Sequence, residues 1–279
     1  MMKISKAVVT AAGPGQSSLP LQRLVDRDGI EKTALEMIIE EVAAAGIESI
    51  AVVLSPGTED AFCQAAGKLV ERLTFVVQQE AHGYGQALLC ARDYVGNQPF
   101  LHLVGDHLYL SRSGMKCAQQ LVQVASQHAC TVSAVQPTRE QMLPYFGTVG
   151  GLRVAQEANL FEVKRVLEKP TPTLAEQELT IAGFRNGTYL CFFGMHVLTP
   201  TVLDILEHLV QSRTGPIPLA DALNDLAGRQ RYLACEIDGL RYNIGVKYGL
   251  LNAQLALGLA GVDRDRILTQ LVELLSVQR

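Results

Sequence analysis

The 279-residue sequence predicts an α/β fold with a doubly wound, mostly parallel central sheet. Three observations support this prediction. Short apolar runs without polar alternation recur in the first half, helical segments separate them, and a glycine-rich turn follows the first run. Runs of this kind are typical of parallel strands that helices cover on both faces. Ligands bind such sheets at the carboxyl ends of the strands, so we expect a site in the loops there.

Four strands are predicted in the first half, each from one apolar run: Ala7–Ala11, Ile50–Leu54, Leu73–Val77 and Phe100–Val104. A helix is predicted between the first two strands, because apolar residues from Leu35 to Val42 recur at helical spacing and Gly46 suits its end. The segment EDAFCQAAG and residues from about Tyr84 to Arg92 predict two further helices.

The second half has a different pattern. The segments FGTVGGLRV, FEVKRVLEKP and TYLCFFGM predict strands with few helices between them, which indicates a mixed-sheet region. Two helices follow, and the pattern is helical from Gly249 onward with a break near Gly261. The sequence therefore predicts one α/β domain over residues 1–248 and a helical tail over residues 249–279. The tail is rich in leucine, which predicts packing on the domain or a homo-oligomer contact.

Composition narrows the possible classes of protein. Hydrophobic residues make up 48% of the chain and charged residues 19%, which is typical of a folded globular protein. The net charge is -4, whereas general nucleic-acid binding requires concentrated positive charge, so no nucleic-acid partner is expected.

The six cysteines form no C-x-x-C pair and several lie in apolar runs, which is typical of free thiols in a reducing cytoplasm. No stretch reaches 18 apolar residues, and the short apolar run near the N-terminus meets Gly-Pro-Gly at once. We therefore expect a cytoplasmic protein with no membrane partner.

The loop AAGPGQSSLP follows the first predicted strand and suits phosphate binding, because glycine-rich turns expose backbone N–H groups. It lacks the lysine of a P-loop and the third glycine of a dinucleotide fingerprint. On its glycines alone, the loop is equally well explained as a plain strand-to-helix turn.

Asp106 follows the fourth predicted strand directly, in LVGDHL. A carboxylate at that end of a strand can hold Mg²⁺ against a triphosphate, and it can equally cap the N-terminus of a helix.

Five segments occur in a fixed order between residues 6 and 255: AAGPG…LP, QQEAHGYGQA, GDHL, LEKP and NGTYL. In this order and spacing the chain resembles the sugar-1-phosphate nucleotidyltransferases, and among them the bacterial UTP–glucose-1-phosphate uridylyltransferases. The resemblance implies a Rossmann-like fold of nucleotidyltransferase type with a mixed-sheet sugar-binding region. It also implies Mg²⁺-dependent transfer of a nucleotide from a nucleoside triphosphate, UTP above all, to a sugar 1-phosphate such as glucose 1-phosphate.

The resemblance assigns roles to residues at matching positions. The nucleotide-binding set comprises Ala11, Ala12, Gly13, Gly15, Gln78 and Gly83. The set that binds the sugar phosphate comprises Gly147, Glu168, Lys169, Gly187 and Tyr189. The metal ligands would be Asp106 and Asn243, and Asp106 and Lys169 would belong to the catalytic set. With the family match, we favour the metal role for Asp106 over a helix cap.

The chain departs from the family pattern at three places. Relatives carry an arginine in the first loop, where this chain has Gln16 and Ser17. They also carry a phosphate-binding lysine in the segment that follows, and Arg23 is the nearest substitute, which completes our catalytic set. Asn243 takes the place of a second metal-binding aspartate.

Two hypotheses follow. The chain is an active nucleotidyltransferase with altered phosphate contacts, or it is a degenerate member that binds nucleotide sugar or regulates an active paralogue. A third interpretation, a flavodoxin-like or dinucleotide-binding protein, explains the first loop and none of the later segments.

Overall fold

The computed structural model describes residues 2–13, 15, 17–80 and 82–277, and strands and helices alternate along these residues. The strands of the described chain are β1 (Lys6–Thr10), β2 (Arg23–Val25), β3 (Glu31–Thr33), β4 (Ser49–Leu54), β5 (Leu73–Val77), β6 (Phe100–Val104), β7 (His107–Ser111), β8 (Thr131–Arg139), β9 (Thr148–Arg153), β10 (Leu160–Leu167), β11 (Thr188–Leu198), β12 (Tyr232–Glu236) and β13 (Gly239–Asn243).

The helices lie between and after these strands. They are α1 (Ala34–Ala44), α2 (Glu59–Ala66), α3 (Tyr84–Leu89), α4 (Arg92–Val95), α5 (Cys117–His128), α6 (Pro172–Glu178), α7 (Thr201–Ser212), α8 (Leu219–Ala227), α9 (Gly249–Leu259) and α10 (Arg264–Val277), with 3₁₀ turns at Gly67–Arg72 and Glu140–Tyr145. The strands predicted at Leu73–Val77 and Phe100–Val104 are confirmed, whereas the helix predicted from Tyr84 to Arg92 is divided into α3 and α4.

Nine strands form one sheet in the order β5-β4-β1-β6-β11-β8-β12-β10-β9. Strands β5, β4, β1 and β6, all from the first half of the chain, pair in parallel. The antiparallel strand β11 joins them to β8, and antiparallel pairs dominate the remainder of the sheet. The parallel arrangement expected from the sequence is therefore present in the first half, and the second half is mixed.

Two short two-stranded sheets lie outside the central sheet. Strand β2 pairs with β3, and β13 pairs with β7 in antiparallel register. The second pairing places Asn243 opposite His107, next to the end of β6. A residue near the C-terminal end of the chain is thus brought to the loop that carries Asp106.

Helices cover both faces of the sheet, and this explains the continuous apolar strands. In β1, Ala7 and Val9 pack with α1 and α5 in one core cluster, whereas Val8 packs with α3, α7 and α8 in the other. Both sets of side chains are fully buried, as expected for a sheet covered on each face.

The C-terminal helices pack beside the β2–β3 hairpin. Gln254 of α9 accepts from the backbone N–H of Val25 at 2.9 Å and donates to its carbonyl oxygen at 3.0 Å. Helix α10 follows and packs on α9, where Ile267 lies against Gly258. Within the described ranges, no helix combines the length and the apolar character needed to cross a membrane.

Candidate functional site

A cavity of about 480 Å³ opens at the carboxyl ends of the parallel strands. Thr10 ends β1, Gln78 follows β5 and Asp106 follows β6, and all three line this cavity. This is where an open α/β sheet binds its ligands, because the loops diverge there and leave a crevice.

The structure brings most of the expected site residues to this cavity. Those that line it are Ala12, Gly13, Gln78, Gly83, Asp106, Gly147, Glu168, Lys169 and Asn243. Those that lie outside its described wall are Ala11, Gly15, Arg23, Gly187 and Tyr189. Gln16, which the family comparison places at the missing arginine, lies outside the described residues.

The first loop contributes backbone to the cavity. Ala12 and Gly13 line it, and the Ala12 carbonyl oxygen accepts from Ser55 Oγ at 3.1 Å. Ala11 is buried and donates its backbone N–H to Val53 at 2.8 Å, so it anchors the loop to β4 instead of facing the cavity. Gly15 is exposed, and its φ of +73° favours glycine.

A pair of glutamines marks one end of the cavity. Gln78 is 4% exposed, and its Nε2 donates to the Gly83 carbonyl oxygen at 3.3 Å and to Gln86 Oε1. Gly83 has a φ of +98°, and a Cβ there would lie 2.8 Å from the Pro216 Cβ. The turn after β5 therefore requires glycine, and its tight path holds the Gln78 amide in place.

Asp106 lines the cavity and is almost fully buried. Its Oδ1 is 2.7 Å from His107 Nδ1. Burial alone would raise the pKa of Asp106, but the neighbouring His107, a backbone hydrogen bond and the charge of Lys169 together lower that pKa below its usual value. The carboxyl group is therefore ionised at neutral pH.

Asn243 adds a neutral oxygen beside this carboxylate. Its Oδ1 accepts from the Gly245 N–H at 2.8 Å. A Cβ on Gly245 would lie 3.2 Å from that oxygen and 3.7 Å from Asp106 Oδ2, so the two oxygens border the same space. The described residues contain no group of three His, Cys, Asp or Glu side chains that could hold a metal. One carboxylate and one amide oxygen suit Mg²⁺, which takes its remaining ligands from water and substrate phosphates.

Glu168 and Lys169 also line the cavity, with Lys169 Nζ 3.8 Å from Glu168 Oε1. Burial raises the pKa of Glu168, and the charge of Lys169 partly opposes this shift. Lys169 has a φ of +44°, in the left-handed region that few non-glycine residues adopt. Such outliers are typical of functional sites.

The remaining sugar-side residues divide into two groups. Gly147 lines the cavity, and a Cβ there would lie 2.6 Å from the Phe192 ring, so only glycine fits. Tyr189 is 5% exposed and belongs to a separate small core cluster. The Gly187 carbonyl oxygen accepts from the backbone N–H of Glu140 at 2.9 Å, and this bond joins β11 to the turn after β8. These two residues support the wall from outside the cavity.

Arg23, the expected substitute for a phosphate-binding cation, lies outside the described cavity wall. It lies in β2, its side chain is 71% exposed, and it forms an ion pair with Glu31 across the β2–β3 hairpin. A surface ion pair holds the guanidinium away from the cavity wall. Ser17, also in the first loop, lies outside that wall as well.

Sequence reasoning missed several cavity residues, because they lie among apolar residues or inside a quoted segment. Tyr84 lines the cavity, and its hydroxyl group lies 2.6 Å from His102 Nε2. Gln86 lies outside the cavity wall and accepts from Gln78 Nε2. Phe146, Phe192 and His196 also line the cavity. Phe146 directly precedes Gly147 in the sequence, and this neighbouring position was the signal that could have identified Phe146 as a cavity residue.

Comparisons with known proteins show the family of the chain. The family model described as nucleotidyl transferase matches residues 6–255. A UTP–glucose-1-phosphate uridylyltransferase 1 of Streptococcus pyogenes is 31% identical, over 91% of this chain and 89% of the relative. The UTP–glucose-1-phosphate uridylyltransferase of Staphylococcus epidermidis is 28% identical, over 99% of this chain and 100% of the relative.

Solved structures show the same fold. A UDP-glucose pyrophosphorylase complexed with UDP-glucose superimposes with a TM-score of 0.75 at 24% identity, over 91% of this chain and 98% of that one. The UDP-glucose pyrophosphorylase of Acinetobacter baumannii gives a TM-score of 0.74 at 24% identity, over 98% of this chain and 100% of that one.

Proposed function

Because the chain belongs to the nucleotidyl transferase family, we propose that it joins UTP to glucose 1-phosphate and releases pyrophosphate. One observation carries this proposal. A single cavity gathers Gln78, Asp106 and Lys169 from three distant parts of the chain at the carboxyl ends of the strands. These three side chains match the three tasks of the reaction: recognising a base, neutralising charge on phosphate and holding the sugar phosphate.

The proposed reaction is an in-line displacement. A phosphate oxygen of glucose 1-phosphate forms a bond to the α-phosphorus of UTP, and the bond from that phosphorus to the bridging oxygen of pyrophosphate breaks. No covalent intermediate with the protein is required, so the residues act by positioning the reactants and stabilising their charge. The Lys169 ammonium pairs with the sugar phosphate, and the Glu168 carboxyl group accepts hydrogen bonds from sugar hydroxyls.

At the other end of the cavity, the Gln78 amide recognises the pyrimidine. The two hydrogens of Gln78 Nε2 are donated to Gly83 and Gln86, so the Gln78 Oε1 atom accepts from the N–H group on the edge of uracil. Because Gln86 and Gly83 fix the Gln78 side chain, its orientation is set before the nucleotide binds.

We also propose Mg²⁺ as the cofactor, held by Asp106 Oδ2 and Asn243 Oδ1. When bound, the ion neutralises phosphate charge and favours departure of pyrophosphate. Asp106 suits this role because its carboxyl group is ionised, and His107 orients it through Oδ1.

The domain division follows the same proposal. Residues 1–248 would form the catalytic domain and residues 249–279 the helical tail, in a homo-oligomer.

The six free cysteines, four of them buried, support a cytoplasmic location, where thiols stay reduced.

A second candidate function is a degenerate member that binds nucleotide sugar without turnover. The position of Arg23 favours it, because the expected substitute for the phosphate-binding lysine of relatives lies outside the described cavity wall and pairs with Glu31. Ser17 and Asn243 add one lost cation and one lost carboxylate.

Pyrophosphate release tests the proposal, measured with Mg²⁺ across the common nucleoside triphosphates and several sugar 1-phosphates. We expect release with UTP and glucose 1-phosphate, and its loss in Asp106→Asn. No release with any pair, together with UDP-glucose binding by calorimetry, would favour the degenerate member. In that case the double variant Ser17→Arg with Asn243→Asp should restore turnover.

A further inference from the structure

Arg241 in β13 is a buried cation with few protein partners. The residue is 9% exposed, and its Nη2 lies 3.4 Å from Thr138 Oγ1. Its Nε and Nη1 atoms are buried and form no hydrogen bond to any described residue. No carboxylate of the described chain forms an ion pair with it.

The guanidinium group lies directly behind the cavity wall. Its central carbon is 3.9 Å from the centroid of the Phe146 ring, and Phe146 lines the cavity. Arg241 also stands opposite Tyr109 in the β7–β13 pair, and the Tyr109 hydroxyl group donates to the Gly194 carbonyl oxygen at 2.9 Å. Gly194 is another residue of the wall. One aromatic ring therefore separates this charge from the cavity.

Keeping an unpaired charge in such a place costs folding free energy, because water is lost and no anion replaces it. Stacking on Phe146 recovers part of this cost. A guanidinium group does not lose its proton in proteins, so Arg241 carries its charge at neutral pH. A methionine would fill the same space at lower cost, which indicates that the charge serves something other than stability.

The charge of the cavity suggests a role for the buried Arg241 guanidinium. Its described wall carries Asp106 and Glu168 against the single ammonium of Lys169, with His107 alongside. Two substrates that are both rich in phosphate would meet too little positive charge there. The loop arginine of relatives, which would add a cation, is replaced in this chain by Gln16 and Ser17.

We propose that Arg241 is an electrostatic positioning residue whose buried charge is complemented by the phosphates that enter the cavity. It acts through Phe146 and does not touch the reacting atoms. This inference rests on the proposed function, because that function supplies the anions.

The test compares Arg241→Met with the wild-type protein in two measurements. In phosphate-free buffer, we expect Arg241→Met to unfold at the same temperature or higher, because an unpaired buried charge is removed. Inorganic pyrophosphate and UDP-glucose, each with Mg²⁺, should raise the unfolding temperature of the wild-type protein and have less effect on the variant. By calorimetry, we expect at least tenfold weaker binding of either ligand to the variant, with Arg241→Lys between the two.

Arg153 provides a matched control, since its guanidinium also stacks on phenylalanine rings, 4.7 Å from the centroid of Phe161. It is exposed and lies outside the cavity wall, so Arg153→Met should leave ligand binding unchanged. A purely structural role for Arg241 predicts the reverse pattern, a less stable or unfolded Arg241→Met protein, and that result would overturn the inference. Equal binding by variant and wild type would overturn it too.

The outcome for the proposed function is separate. Turnover by the wild-type protein with unchanged binding in Arg241→Met would keep the function and reject the inference. Pyrophosphate binding that depends on Arg241 without turnover would keep the inference and reject the activity. A wild-type protein that binds neither ligand would reject both.

Discussion

Lys169 shows how a single residue can serve the site at the expense of the fold. Its φ of +44° is unfavourable for a side chain with a Cβ, and Pro170 after it restricts the backbone further. The surrounding wall therefore holds a conformation that the local sequence does not favour. The conformation places an ammonium group at the cavity, which gives a physical reason for keeping it.

Lys169→Asn separates the two effects, because asparagine tolerates the left-handed region but carries no charge. We expect the free energy of unfolding to stay equal or rise by up to about 1 kcal/mol. We expect kcat/KM for pyrophosphate release to fall by about 10²-fold, as for loss of one charged phosphate contact. Lys164 is an exposed residue of β10, and Lys164→Asn serves as the control. It should change neither the free energy of unfolding nor kcat/KM. Unaltered activity in Lys169→Asn would remove Lys169 from the catalytic set.

At the scale of elements, a side chain of helix α1 caps the N-terminus of helix α5. Glu41 of α1 is 3% exposed, and its Oε1 accepts from the Ala118 N–H at 2.8 Å, in the first turn of α5. Lys116 Nζ lies 4.0 Å from Glu41 Oε2. The N-terminus of α5 has no capping side chain of its own, so α1 satisfies it and the two helices are joined.

Glu41→Ala should therefore destabilise the protein by about 1–3 kcal/mol, because the Ala118 N–H is left buried without an acceptor. Glu41→Gln keeps an oxygen at that place without the buried charge, so it should be at least as stable as the wild type at neutral pH. Urea unfolding at one temperature would measure both variants. Equal stability of the alanine variant and the wild type would show that water replaces the contact.

The same side chain predicts a pH dependence. Burial raises the pKa of Glu41, while the Ala118 N–H and Lys116 oppose the shift. A raised pKa in the folded protein means that ionisation costs stability. The contribution of Glu41 is therefore largest below its ordinary value of 4.5 and is lost as the pH rises through the folded-state pKa. Unfolding of the wild type and Glu41→Gln between about pH 4 and pH 8 should show the wild type falling relative to the variant.

Strands were easier to predict than the site, and the reason is locality. The runs Leu73–Val77 and Phe100–Val104 are continuous and apolar, so their own residues define them. Arg23 has no such local signature. Its partner Glu31 lies across a hairpin, and only the structure shows that Arg23 forms an ion pair with Glu31 at the surface. Arg241 was missed for the same reason, since its burial depends on Phe146, far away in the sequence.

At the scale of the whole molecule, helix α10 leaves an apolar stripe uncovered. Leu268, Leu271, Val272 and Leu275 follow the i, i+3, i+4, i+7 pattern of one helix face. Val272 is 66% exposed and Leu275 73% exposed. An exposed stripe of this kind is typical of a contact between protein chains. It supports the proposed homo-oligomer.

Leu275→Asp should weaken this contact and shift the protein toward a monomer in light scattering after gel filtration, because a charge would be buried in the contact. The fold should be unaffected, since the side chain is exposed within one chain. Gln270→Asp introduces the same charge on the other side of α10 and should leave the oligomer intact. A wild-type protein that is already monomeric would contradict the proposal.

The pairing of β13 with β7 has a consequence for how the protein is made. It brings Asn243 beside Asp106, and β13 is the last strand of the described chain. During synthesis, the parallel strands β1, β4, β5 and β6 emerge well before β13, so the crevice at their carboxyl ends lacks one wall until β13 emerges. A nascent chain thus carries the glycine-rich loop without the complete pocket, and the proposed nucleotide binding requires synthesis to reach β13.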